Sequence, residues 1–198
     1  SAASDVYKRQ IQSEDFKFPG HTDYLDKELT GDALMLMVND GLRVGLLTDH
    51  VPVNEVASHI TEELIFKKIS TINRTLKQDF RINKPKIAVL GFNPHSGDNG
   101  VIGREDEDVI KPALKKLFDA GTLVFGPFSA DSFFGSGSYE NYDAVIAAYH
   151  DQGLIPFKTL SFGNGVNYTA GLSGIRTSPD HGTASVSYTH LRAHETDS

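Results

Sequence analysis

Two apolar runs, "ALMLMV" (33–38) and "LRVGLLT" (42–48), flank the turn tripeptide "NDG" and predict a β-hairpin. From Asn54, which can cap a helix, Val56, Ile60, Leu64, Ile69, Ile72, Leu76 and Phe80 recur mostly three to five residues apart. That spacing predicts one amphipathic helix of about 25 residues. "INKP" ends it, because a residue before proline disfavours the helical region. "KIAVLGF" (86–92) is nearly all apolar, as a strand covered on both faces would be, and the glycine-rich loop "NPHSGDNGVIG" follows. Val109, Ile110, Ala113, Leu114, Leu117 and Phe118 predict a second helix, with Pro112 as its kink. "TLVFGPF" (122–128) and "YDAVIAAYH" (142–150) predict two more strands. The rhythm is that of an α/β fold, a mainly parallel sheet with helical crossovers.

The ends do not share this rhythm. Residues 1–10 and the tail "SVSYTHLRAHETDS" (185–198) show neither period and no turn chemistry. They are expected to be non-native, which leaves 11–184 as the folded portion and sets His190 and His194 aside. A net charge of −7 gives no reason to expect nucleic acid or an anionic membrane as partner. No apolar run is long enough to span a bilayer, and the first ten residues lack a signal-peptide core. A cytoplasmic address fits. The chain has no cysteine, so any metal must be held by His, Asp or Glu.

Three histidines occupy one kind of place. His50 ends "GLLTDH", His95 lies just past "AVLGFNP", and His150 ends "AVIAAYH". Ligands of open α/β sheets collect at the carboxyl ends of strands. Three neutral imidazoles converging there would make an open zinc-type site, with Asp49 and Asp151 as partners that fix a ring tautomer. Taken singly, a histidine at a strand end is more often a hydrogen-bonded structural residue than a ligand, and His59 reads as a plain helix residue. His21, in "GHTDY" beside Thr22, can bind an anion. Lys158, Asn167 and Arg176 stand nine apart among glycines, in what read as flexible loops, and suit a phosphate or carboxylate. The alternative is that both cations are solvated surface charges. No common dinucleotide fingerprint, P-loop or nucleophile elbow is present.

In combination, "GHTDYL", "LGFNPHSGDNG", "GPFSADSFF", "YDAVIAAYHDQGLIPFK" and "GVNYTAGLSGIRTSPDHGTA" resemble the 4-hydroxythreonine-4-phosphate dehydrogenase family, in the family's order, from about Ile11 to Ala184. The resemblance implies an isocitrate/isopropylmalate dehydrogenase-like fold, truncated here at both ends, and a homodimer with its site near the subunit boundary. It implies metal ligation by His50, His95 and His150, and substrate binding by His21, Thr22, Lys158, Asn167 and Arg176. Asp131 matches an acidic position beside the family's active site. "TSPDHG", with Pro179, departs from the commoner form of its motif.

The implied reaction is oxidation of 4-phosphohydroxy-L-threonine at C3, followed by decarboxylation to 3-amino-2-oxopropyl phosphate in pyridoxal phosphate synthesis. It requires NAD or NADP and a divalent metal, with zinc favoured over magnesium, cobalt or manganese. The same motifs suit a sibling dehydrogenase of D-threonate or D-erythronate 4-phosphate. Readings of another class are a zinc hydrolase and an inactive metal-binding fragment.

Overall fold

A computed structural model describes residues 31–172 and 176–179. His21, Thr22 and the end segments 1–10 and 185–198 lie outside the described residues. The predicted hairpin is present as β1 (Gly31–Val38) and β2 (Arg43–Leu46), antiparallel with Val38 opposite Arg43. Its turn closes on Asn39, whose Oδ1 accepts from the N–H groups of Gly41 and Leu42 at 2.9 and 2.6 Å. The apolar runs further on become β3 (Ile87–Leu90), β4 (Val124–Phe128) and β5 (Ala144–Ala147), followed by β6 (Val166–Leu172) and β7 (Arg176–Pro179). All seven form one sheet in the order β4-β3-β5-β2-β1-β6-β7.

The sheet is mixed rather than mainly parallel. Pairs β4–β3, β3–β5 and β5–β2 are parallel, whereas β2–β1, β1–β6 and β6–β7 are antiparallel. The reason is connection length. The short turn of β1–β2, and the three residues that separate β6 from β7 in sequence, can join only antiparallel neighbours, since a parallel neighbour needs a crossover of a dozen or more residues.

The long helix predicted from Asn54 is two helices, α1 (Val56–His59) and α2 (Glu62–Gln78). Ile60 leaves the helical region at ψ 95°, and Thr61 is extended. The Thr61 hydroxyl oxygen accepts from the Leu64 N–H at 3.2 Å, so a local cap outcompetes the apolar period. Helix α3 (Lys111–Asp119) follows a wide π-type turn over Asp106–Ile110. Pro112 is the second residue of α3, within one helical run that begins at Glu105, so the predicted distortion is present as the widened turn just before it. Two further helices among the described residues are absent from the sequence expectation, α4 (Ala130–Gly135) and α5 (His150–Ser161).

Strand alternation sorts the core into two layers. Leu34, Leu36, Val89 and Ile146 face Ile65, Ile69, Ile72 and Leu76 of α2, with Ala113 and Leu114 of α3. On the other face Met35, Val44, Leu46, Leu90 and Ala147 meet Leu154 and Phe157 of α5 and Phe133 of α4. Among the described residues no helix is long and apolar enough to cross a membrane.

Thr61→Ala removes the cap of α2 and is expected to lower stability by about 1 kcal/mol. Urea unfolding will show it as a lower midpoint at constant m. An unchanged midpoint would mean that the cap is idle.

Candidate active site

Parallel pairing carries β2 and β5 past their last residues side by side. The N–H groups of Leu47 and Thr48 donate to the carbonyls of Ala147 and Ala148 at 2.9 and 3.2 Å, and the Thr48 hydroxyl adds a 2.8 Å bond to Ala148. Two residues beyond Thr48 and Ala148 come His50 and His150, with ring centroids 6.0 Å apart and planes tilted by 40°. Two imidazoles on one tetrahedral ion at a bond length of ~2.0–2.1 Å have centroids about 5 Å apart, so the pair stands somewhat wider than that. His150 Nδ1 lies 2.8 Å from Asp151 Oδ1, which leaves Nε2 as the nitrogen to present to a ligand. Asp49 stands 3.7 Å from Lys68 of α2.

His150 opens α5, and Gly153 lets that first turn lie close on the sheet. A Cβ at Gly153 would come within 2.8 Å of Leu46 Cδ2 and 3.0 Å of Ala147 Cβ. A second close approach fixes the His95 loop. A Cβ on Gly91 would meet Ser96 Oγ at 2.6 Å and Ser96 Cα at 3.0 Å.

Fully buried Asp106 holds the root of that loop. Its carboxylate accepts from the Phe92 and Asn93 N–H groups at 2.8 and 3.0 Å and from Asn93 Nδ2 at 3.0 Å. Asn93 Nδ2 also donates to Glu105 at 2.8 Å and thereby holds that carboxyl below its ordinary pKa. His95 itself has a left-handed backbone, φ 53°. It interacts electrostatically with exposed Asp131, at the start of α4. The Asp131 carboxyl is lowered first by the Ser129 hydroxyl, 2.7 Å away, then by the Ser132 N–H, with a smaller contribution from His95.

The chain thus brings His50 and His150 together and packs the His95 loop against α4, which carries Asp131. Among the described residues, no three His, Asp or Glu side chains are gathered closely enough to hold an ion. Nor do Lys158, Asn167 and Arg176 lie in flexible loops. Lys158 lies on α5, eight residues and so about 12 Å along the axis from His150. Asn167 lies on β6, opposite Met37 and Ser178, and Arg176 begins β7 opposite Thr169. Of the flanking glycines, Gly163 follows the end of α5 and Gly171 lies within β6, both at positive φ. The register Asn167–Met37–Val44–Val145 lies near the start of β2 and β5, away from the ends that carry the histidines. Asn167 Oδ1 is buried with no hydrogen-bond partner among the described residues.

Sequence reasoning missed Asp106, which in the run "REDED" reads as one solvated charge among several. It also passed over Gln152, for which "YHDQG" was the available signal.

The family described as "Pyridoxal phosphate biosynthetic protein PdxA" matches residues 3–196. The chain belongs to the PdxA family. The 4-hydroxythreonine-4-phosphate dehydrogenase of Bacteroides thetaiotaomicron is 51% identical over 181 residues, which are 90% of this chain and 50% of that relative. The crystal structure of the Klebsiella pneumoniae 4-hydroxythreonine-4-phosphate dehydrogenase matches with a TM-score of 0.75 at 39% identity, over 85% of this chain and 51% of the other. A terephthalate 1,2-cis-dihydrodiol dehydrogenase from Burkholderia xenovorans matches with a TM-score of 0.71 at 27% identity, over 79% and 50%. The chain spans about half the length of the PdxA-family relatives it matches.

Asp106→Ala leaves two part-buried backbone donors without their acceptor at the root of the His95 loop. The expected loss is at least ~2 kcal/mol, since each orphaned donor costs about 1–3. Urea denaturation measures it, and a loss below ~0.5 kcal/mol would mean that solvent replaces the carboxylate.

Proposed function

We propose that this PdxA-family chain carries the metal- and substrate-binding portion of an NAD- or NADP-dependent dehydrogenase in pyridoxal phosphate biosynthesis. The substrate in this reading is 4-phosphohydroxy-L-threonine, oxidised at C3 and decarboxylated to 3-amino-2-oxopropyl phosphate. The observation that supports it most is the His50–His150 pair, with ring centroids 6.0 Å apart where two parallel strands end. His50, His95 and His150 would hold a divalent ion. Imidazole donors without thiolate or clustered carboxylate favour zinc, ahead of cobalt, manganese or magnesium. When bound, the ion supplies Lewis acidity at the substrate oxygen and the nicotinamide accepts hydride.

The chain's own groups bind and orient. Asp151 fixes the His150 ring so that Nε2 faces the ligand. Asp131, with its carboxyl held below the usual range, remains an anion that interacts electrostatically with His95. Lys158, Asn167 and Arg176, with His21 and Thr22, would hold the phosphate and carboxylate of the substrate. Their placement matters, because misplacing the reacting carbon by about 1 Å can cost roughly a hundredfold in rate.

The site is completed by a second copy of the chain, on an isocitrate/isopropylmalate dehydrogenase-like scaffold. Two observations support the dimer. Asn167 and Lys158 stand apart from the histidines of their own chain. Val53, Val101 and Ile102, near His50 and His95 in sequence, are apolar and exposed at 76, 79 and 41%.

The Burkholderia xenovorans neighbour, named for a dihydrodiol substrate, favours testing a second substrate in parallel. The protein, completed to the length of its relatives and supplied with zinc and NAD or NADP, is offered 4-phosphohydroxy-L-threonine and erythronate 4-phosphate. NAD(P)H should form with the first. Preference for the second would assign the chain to the sugar-acid sibling, and phosphate release without NAD(P)H would make it a hydrolase. Arg176→Ala is expected to raise KM at least tenfold with zinc content intact, whereas His95→Ala loses zinc and turnover together. Unchanged zinc in His95→Ala would contradict the ligand set.

A further inference from the structure

The carboxyl ends of β5 and β3 are joined by one side chain. Gln152, in the first turn of α5, accepts from the Ala148 N–H through Oε1 at 2.7 Å and donates from Nε2 to the Gly91 carbonyl, also at 2.7 Å. A backbone N–H can only donate and a carbonyl can only accept, so these partners fix which way the amide points. A primary amide of this length offers both functions at one tip, whereas an ionised carboxylate only accepts. Ala148 lies two residues before His150, and its carbonyl takes the two bonds from Thr48 that secure the His50 strand. Gly91 lies four residues before His95, and its N–H donates to Phe128 at the end of β4, three residues before Asp131.

We propose that Gln152 is a positioning residue whose amide fixes how far the His95 loop stands from the turn that carries His150. The metal role of those histidines rests on the function proposed above, whereas the clamp itself does not. Without Gln152 the β3–β5 ladder still pairs Val89 with Ile146. Beyond that point the two histidine-bearing segments lose the direct bond between them.

The test compares the chain with Gln152→Met, close in volume but without hydrogen bonds, and Gln152→Glu, which keeps the acceptor for Ala148 and loses the donor to Gly91. In metal-free protein, amide hydrogen exchange is followed at Ala148, Val145 and Ile146, together with the imidazole NMR resonances of His95 and His150. Exchange at Ala148 should rise about tenfold in Gln152→Met and stay near wild type in Gln152→Glu, with Val145 and Ile146 unchanged in both. The imidazole resonances should shift in both variants. Zinc affinity, measured by chelator competition, should fall about tenfold in both, as for other residues that orient metal ligands. Unmoved imidazole resonances in both variants would overturn the proposal, as would full zinc affinity in both beside a wild type that binds zinc. A wild type that retains no zinc would sink the three-histidine reading alone, and the metal-free signals would still decide Gln152. Should Gln152→Met fail to fold, the isosteric Gln152→Glu carries the decision.

Discussion

Parallel pairing of β3, β5 and β2 is the constraint on which the rest of this structure depends. Three parallel neighbours end at one edge of the sheet, so the segments that follow them, with His95, His150 and His50, start from the same line. Parallel neighbours cannot be joined by tight turns, and the crossovers they require place helices on both faces. Those helices supply the burial that holds the strands flat against each other. Ile65, Ile69, Ile72 and Leu76 of α2 are completely buried, each contributing about 1.5–3 kcal/mol relative to exposure.

At the chemical edge the backbone leaves the ladder, and side chains take over its hydrogen bonding. Thr48 ties β2 to β5, Gln152 ties β5 to β3, and Asp106 collects the donors at the start of the His95 loop. A carboxyl group with no solvent exposure is costly to bury without hydrogen-bond partners. Here three of them, two from the backbone, converge on it. Close contact does the remaining work, since Gly91 and Gly153 admit neighbours that a methyl group would displace. The histidine loops are thus placed by groups that carry no metal or substrate chemistry themselves.

Much of this could be read from the residues. The runs at 33–38, 86–92, 122–128 and 142–150 all contain strands, because a segment buried on both faces must be apolar throughout. The placing of His50 and His150 where strands end followed from the same runs. What could not be read depended on partners distant in sequence. Helix α5 carries Gly153 and Pro156, both helix breakers by local propensity, yet Leu154 and Phe157 bury against the sheet and Gly153 makes the approach possible. The break at Ile60–Thr61 lay hidden under an apolar period that continues across it. Asp106 gives no sign in sequence of being the one buried acid in its run, since burial is decided by the loop that folds over it.

Convergence is the step that spacing alone never supplies, and the central claim is that His50, His95 and His150 meet on one ion. X-ray absorption at the zinc edge of the zinc-loaded protein counts those donors directly, whether one copy or two supplies them. The account predicts three imidazole nitrogens at about 2.0–2.1 Å, with any remaining positions filled by oxygen. A shell of oxygens alone, or one with a single imidazole, would contradict it.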